Sequence, residues 1–167
     1  FPTRRSSDLG ERIPKPKHIF IILGETFMQW PMLGKYENLL LAEGIKSLIA
    51  EDNCYYSRNF MPNGDFTSTA INGLVTGLPD VNIKVNYQAR TYERFYITAM
   101  APPFKEIGYN VDFWYGGMPG WDSIAKMALA QGFDNFYGYP DFNAPKQTTW
   151  GTKDENLFNA LLAHLEE

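Results

Sequence analysis

The chain has one cysteine, Cys54, so no disulfide can form within it, and cysteine usage says little about compartment. Positive charge is also scarce. Against 19 Asp and Glu there are 15 Lys and Arg, which leaves a formal net charge of −4 and a pI near 5.2. That balance lacks the basic footprint of a nucleic-acid binder, so no nucleic-acid partner is expected. Long hydrophobic runs are missing as well. The apolar stretch Ile19-Phe20-Ile21-Ile22-Leu23 is far shorter than the ~20 residues a membrane helix needs. There is no internal repeat and no low-complexity linker.

What is present suits one globular domain. A length of 167 residues is enough for a real core, and 44% hydrophobic with 20% charged residues is ordinary composition. Aromatics reach 16%, a surplus. Its default use is core packing, and its other use is to line carbohydrate, lipid or aromatic-ligand clefts. Residues 1–9, Phe-Pro-Thr-Arg-Arg-Ser-Ser-Asp-Leu, read as one frame of a common sequencing-adapter oligonucleotide and carry no weight for the fold. The C-terminal residues 157–167 stop inside an amphipathic helical pattern without a cap, so both ends are expected to be cut.

Strand and helix patterns alternate after residue 17, which predicts an α/β fold with a mostly parallel sheet flanked by helices. Residues 17–24 form a continuous apolar strand, as expected when both sheet faces are covered. A loop follows at 30–35. Residues 36–52 hold one or two helices, with Leu39, Leu40, Leu41, Ile45, Leu48 and Ile49 buried and Gly44 as a break. Residues 54–60 read as a short strand leading into a Pro62-Asn63-Gly64 turn. A helix over 67–76 is ended by Gly77-Leu78-Pro79. Residues 80–96 look like an irregular polar surface loop. A helix at 101–107 has its prolines in the first turn, where they fit. A strand at 110–115 precedes a Gly116-Gly117 turn. A helix follows at 121–131, then a short strand at 133–137, a loop at 138–152 and a helix from 154 to the end.

Two residues carry the chemistry. In open α/β sheets, ligands bind beyond the carboxyl ends of the strands. Glu25 stands there, directly after the first apolar run, and a carboxylate in that place can bind a divalent cation. It reads equally as an ordinary loop carboxylate. Thr67 opens the helix after the glycine turn, where backbone amides and the positive end of the helix dipole are exposed. Its hydroxyl needs a base or a metal to become a nucleophile. Thr67, Ser68 and Thr69 are also good helix caps, and local chemistry does not choose among the three.

Gly24-Glu25-Thr26 after an apolar strand, followed by Thr67-Ser68-Thr69-Ala70, resembles the sulfatase-like domain of the alkaline phosphatase superfamily. The likeness is to the lipoteichoic acid synthase and phosphoglycerol transferase group, with the phosphoethanolamine transferases as relatives. Asn72 through Pro79, Gly108-Tyr109 with Phe113 through Gly117, Gln131 through Asp134, and Trp150 through Phe158 follow that group's landmarks in order. The resemblance covers residues 17–167 and implies that residues 10–167 are the N-terminal part of a catalytic domain. It implies that Glu25 and Thr67 ligate a divalent metal (Mn, Mg or Zn), and that Thr67 is also the nucleophile. It places Tyr115 and Trp121 where relatives contact the head group.

The implied reaction moves a phosphoglycerol or phosphoethanolamine group from a phospholipid donor to a glycan or lipid acceptor. The implied location is the extracytoplasmic face of a bacterial cell membrane, reached through an N-terminal anchor before residue 1. A sulfuric or phosphoric ester hydrolase of the same fold and a non-catalytic α/β accessory domain are the rival readings.

The resemblance has departures. The group completes its metal site with an Asp-His pair, whereas the only histidines here are His18 and His164, neither preceded by aspartate. The catalytic second half is therefore expected to be absent, and the 167-residue piece inactive by itself. His18 is expected to be structural in the buried strand, and His164 exposed on the last helix. Cys54-Tyr55-Tyr56-Ser57-Arg58 imitates the sulfatase signature in which cysteine becomes formylglycine. Tyr56 replaces its proline, however, and Cys54 is expected to be a core or edge residue.

Overall fold

The computed structural model describes residues 14–25, 27–57, 59–80 and 82–166. The adapter-like residues 1–9 lie outside the described residues, as do Thr26 and Arg58 of the motifs above. The chain forms two compact units, Phe1–Tyr56 and Ser57–Glu167.

In the first unit, Trp30–Met32 and Gly34–Leu39 are 3-10 turns, and Glu43–Ile49 is helix α1. The break falls at Leu40 and Ala42, both at positive φ (50° and 58°), rather than at Gly44, which lies inside α1. The expected apolar face is not buried. Leu39, Leu40, Ile45 and Leu48 are all exposed. The strand expected at 17–24 is not formed either. Ile19 to Leu23 are exposed and carry no regular secondary structure, and His18 beside them is exposed rather than buried. A strand exists only when a neighbour supplies its ladder, and among the described residues this unit contains no other strand. None of the described residues between 54 and 60 is in a strand, and Cys54 is exposed, neither in a core nor on a strand edge.

The second unit holds the core and the sheet. Strands β1 (Asp112–Tyr115) and β2 (Asn135–Gly138) pair in parallel, with Phe113 opposite Phe136 and Trp114 opposite Tyr137. Parallel strands need a crossover, and helix α5 (Ile124–Ala130), preceded by the 3-10 turn Trp121–Ser123, supplies it. Alternation along the strands divides the aromatics between two faces. Phe113, Tyr115 and Phe136 pack on the core side with Ile124, Met127, Ala128 and Phe133. On the other side Trp114 and Tyr137 stack with ring centroids 4.3 Å apart, and His164 of the last helix (Asp154–Glu166) lies 5.4 Å and 5.3 Å from them. Most of the aromatic surplus in this unit is thus packing. Each fully buried Val, Ile or Met here contributes about 1.5–3 kcal/mol.

Helix α2 (Thr67–Thr76) closes the core with Ile71 and Val75, one turn apart. Its end follows the glycine rule. Gly77 adopts φ 69°, its N–H bonds the Gly73 carbonyl, and a Cβ there would lie 2.2 Å from the Thr98 carbonyl oxygen. Helices Arg90–Glu93 (α3) and Ala101–Glu106 (α4) complete the layer, the latter with prolines at its start as expected.

Residues 80–96 are not a surface loop. They contain the 3-10 turn Val85–Tyr87 and α3, and Asp80, Val85, Asn86 and Thr91 are buried. Asp80 organises the segment. Its Oδ2 accepts hydrogen bonds from Asn72 Nδ2 (2.7 Å) and the Val85 N–H (3.1 Å), and its Oδ1 from the Lys84 N–H (2.8 Å). This buried carboxylate binds the segment in which Asn82 and Lys84 take positive φ.

Candidate active site

The start of α2 is set by the chain just before it. Gly64 forms a bridge with Asp80 and runs so close to the first turn that a Cβ would lie 2.2 Å from the Thr69 carbonyl carbon and 2.5 Å from the Ala70 nitrogen. The Asp80 N–H bonds the Asn63 carbonyl, and Asn63 Nδ2 reaches the Gly73 carbonyl. Gly64→Ala must push this segment off the helix, because backbone atoms cannot give way. The expected cost is about 3 kcal/mol, near the upper end for overpacking. Thermal unfolding should show it as a drop of roughly 10 °C, whereas Gly34→Ala, with open space at its Cβ, should leave Tm nearly unchanged.

Within the three-hydroxyl run, geometry separates the side chains. The residue at the N-cap is Phe66, with extended backbone, and Thr67 is the first helical residue. Thr69 is buried and takes the capping role. Its Oγ1 accepts the Phe66 N–H (2.9 Å) and donates toward the Phe66 carbonyl and Asp65 Oδ1. The Ser68 hydroxyl faces the Asp122 carboxylate. Thr67 is half-buried at the mouth of the helix. Of the three candidate caps, Thr69 takes that role.

Tyr115 is the last residue of β1, and Trp121 stacks on it at 6.1 Å between ring centroids. Both are partly buried against the core, and Trp121 makes an edge contact with the exposed Trp150 at 6.4 Å. The glycine turn after β1 holds these rings in place. Gly117 bridges Gly151, the Thr152 N–H bonds the Gly116 carbonyl at 2.9 Å, and a Cβ on Gly151 would meet that carbonyl oxygen at 2.0 Å.

Asp122, next to Trp121, was not singled out from sequence, and neither were Asp80 and Asn86. Asp122 and Ser123 both take positive φ, 48° and 57°. Tyr87 donates its hydroxyl to Asp122 Oδ1 at 2.6 Å, and Asn86 Nδ2 donates to the Asp122 carbonyl at 2.6 Å. Burial pushes the Asp122 carboxyl up, but hydrogen bonds from Ser68, Tyr87 and Asn86 and the charge of Lys84 outweigh it and leave its pKa below the usual value. The same hydrogen bond raises the Tyr87 phenol above its ordinary value. One signal for this network was legible. Asn72 and Thr76 are polar residues at helical spacing beside Ile71 and Val75, and a buried amide requires a partner.

Glu25 is exposed in a turn of the first unit, whereas Thr67 belongs to the second. In kind, a carboxylate and a hydroxyl oxygen fit a hard divalent cation. In number they fall short of a coordination sphere, and among the described residues no group of three or more His, Cys, Asp or Glu could hold a metal. Among the described residues no helix is long and apolar enough to cross a membrane.

Fold and site together define an α/β domain in which a helix-borne hydroxyl is linked, through buried amides, to the turn beyond a parallel strand. The sulfatase family model matches residues 17–167, and the chain belongs to the sulfatase family. Two solved structures are similar to it. One is a protein in the alkaline phosphatase superfamily from Vibrio parahaemolyticus, 27% identical with a TM-score of 0.52, matched over 63% of this chain and 26% of that one. The other is the lipoteichoic acid synthase LtaP from Listeria monocytogenes, 21% identical with a TM-score of 0.58, matched over 73% of this chain and 29% of that one. The chain thus spans less than a third of the length of either structure.

Proposed function

We propose that this chain is the N-terminal part of the catalytic domain of a phosphoglycerol or phosphoethanolamine transferase, with Thr67 as nucleophile. The observation that carries the reading is the first turn of α2. Thr67 is the first residue of the helix, half-buried at its start, in a chain of the sulfatase family. Thr67 Oγ forms a bond to the phosphorus of the donor head group as the bond from phosphorus to the lipid alcohol breaks. The lipid alcohol leaves with a proton. An acceptor hydroxyl, on a glycan or a lipid, then takes the phosphoryl group, and Thr67 recovers its proton.

Helix-start amides of α2 stabilise charge on the phosphoryl oxygens. Tyr115 and Trp121 supply an aromatic edge for the head group. In this reading the Glu25 carboxylate and the Thr67 hydroxyl would each offer an oxygen ligand to a divalent cation, Mn, Mg or Zn. When bound, the cation lowers the pKa of the hydroxyl and offsets phosphoryl charge. The site works at the extracytoplasmic face of a bacterial membrane, where its lipid donor is held.

The test is to express the complete catalytic domain with each metal and supply phosphatidylglycerol, phosphatidylethanolamine and an aryl sulfate in parallel. Release of the lipid alcohol from a phospholipid is expected. Robust sulfate release without phosphodiester cleavage would contradict the reading.

A further inference from the structure

Asn86 joins the two halves of the candidate site. It is 1% exposed, and both ends of its amide are used. Oδ1 accepts from Asn72 Nδ2 (2.9 Å), on the helix that begins at Thr67, and Nδ2 donates to the carbonyl of Asp122 (2.6 Å), beside Trp121. Its backbone carbonyl accepts the Tyr92 hydroxyl. Asn72 is fixed in turn by Asp80. The turn it grips is one that the backbone disfavours, since Asp122 and Ser123 are non-glycine residues at positive φ, each costing about 1 kcal/mol or more. An aspartate at position 86 would lack the donor, and a leucine both groups. The Asn86 amide accepts from one partner and donates to the other at the reach both require.

We infer that Asn86 is a positioning residue, which sets the turn carrying Trp121 at a fixed distance from the helix carrying Thr67 and so governs head-group binding. This rests on the reading of Thr67 as nucleophile and Trp121 as head-group contact. Asn86 touches no substrate itself. Its loss should let the strained turn relax toward ordinary φ and carry Trp121 away, while the first turn of α2, held by Thr69 and Gly64, keeps its place. Binding should suffer more than the chemical step.

The experiment uses the complete catalytic domain with phosphatidylglycerol in detergent micelles. Asn86→Ala should raise KM about tenfold and lower kcat no more than about threefold. Combined with Trp121→Ala, it should add less than a further twofold to KM, because both changes remove one contact. If Asn86→Ala does not fold, Asn86→Ser, smaller but still polar, should show the same split. An unchanged KM in a folded variant, a fall in kcat at constant KM, or full additivity with Trp121→Ala would overturn the inference. Thr67→Ala distinguishes the underlying reading. If that variant retains turnover, the nucleophile assignment fails, whatever Asn86 does.

Discussion

Thr67→Ala should abolish head-group transfer while leaving the fold intact. Thr67 is half-buried at the first position of α2 and is not the cap. Thr69 and the segment around Gly64 brace the helix start. Loss of the Thr67 hydroxyl should therefore change Tm by no more than a few degrees, the usual range for a substitution away from a cap or core. Turnover should fall by a factor on the order of 10⁴ or more, as when a covalent nucleophile is removed. Thr69→Ala should do the reverse. It removes the acceptor for the Phe66 N–H and should cost about 1 kcal/mol of stability, the usual value for a lost cap, with much of the activity kept. Steady-state kinetics beside thermal unfolding of the two variants measures the contrast.

Asp80→Ala should have the largest effect on stability. The carboxylate is fully buried and accepts from Asn72 Nδ2 and from the N–H groups of Lys84 and Val85. Alanine would leave three donors without their acceptor, two of them buried and each of those costing about 1–3 kcal/mol, for a total of about 3–5 kcal/mol. The drop in Tm should exceed that of Gly64→Ala and should be roughly 10–15 °C. Asn72 would lose a partner too, so its link to Asn86 should loosen. Hydrogen exchange at the Lys84 and Val85 amides should report this directly, with protection lost in the variant.

The parts legible in the sequence are those written in local code. Helix α2 was bounded correctly because its signals lie within a few residues of it, a glycine turn before and Gly77-Leu78-Pro79 after. The β1–α5–β2 crossover was legible for the same reason. Alternation over Phe113 to Tyr115, the Gly116-Gly117 turn and the stop at Gly132 are all close in sequence. What was misread depends on partners far away. Residues 19–23 have the composition of a covered strand, but composition supplies no ladder, and none forms among the described residues of the first unit. The apolar residues of 39–49 point to a buried face, whereas the positive-φ residues Leu40 and Ala42 break the pattern. Residues 80–96 looked like surface because they are polar. Asp80, Asn86 and Thr91 among them are nevertheless buried, because they find partners in Asn72, Asp122 and Gln131.

The candidate site divides along the same line. Thr67, Tyr115 and Trp121 are proposed from the resemblance, and in the second unit they lie on elements joined through Asn72 and Asn86. The joining residues themselves were invisible to motif reading, because their role is to pair with each other. Glu25 has its place in the first unit and its role in the proposed reaction.

The most direct measurement is peptide mapping of the covalent adduct. The complete catalytic domain is incubated with donor phospholipid, quenched in acid and digested, and the peptide spanning Thr67 to Thr69 is fragmented by mass spectrometry. The account predicts a head-group phosphate on Thr67, absent from the Thr67→Ala protein. A modification on Ser68 or Thr69, or turnover with no adduct at any hydroxyl of α2, would contradict it.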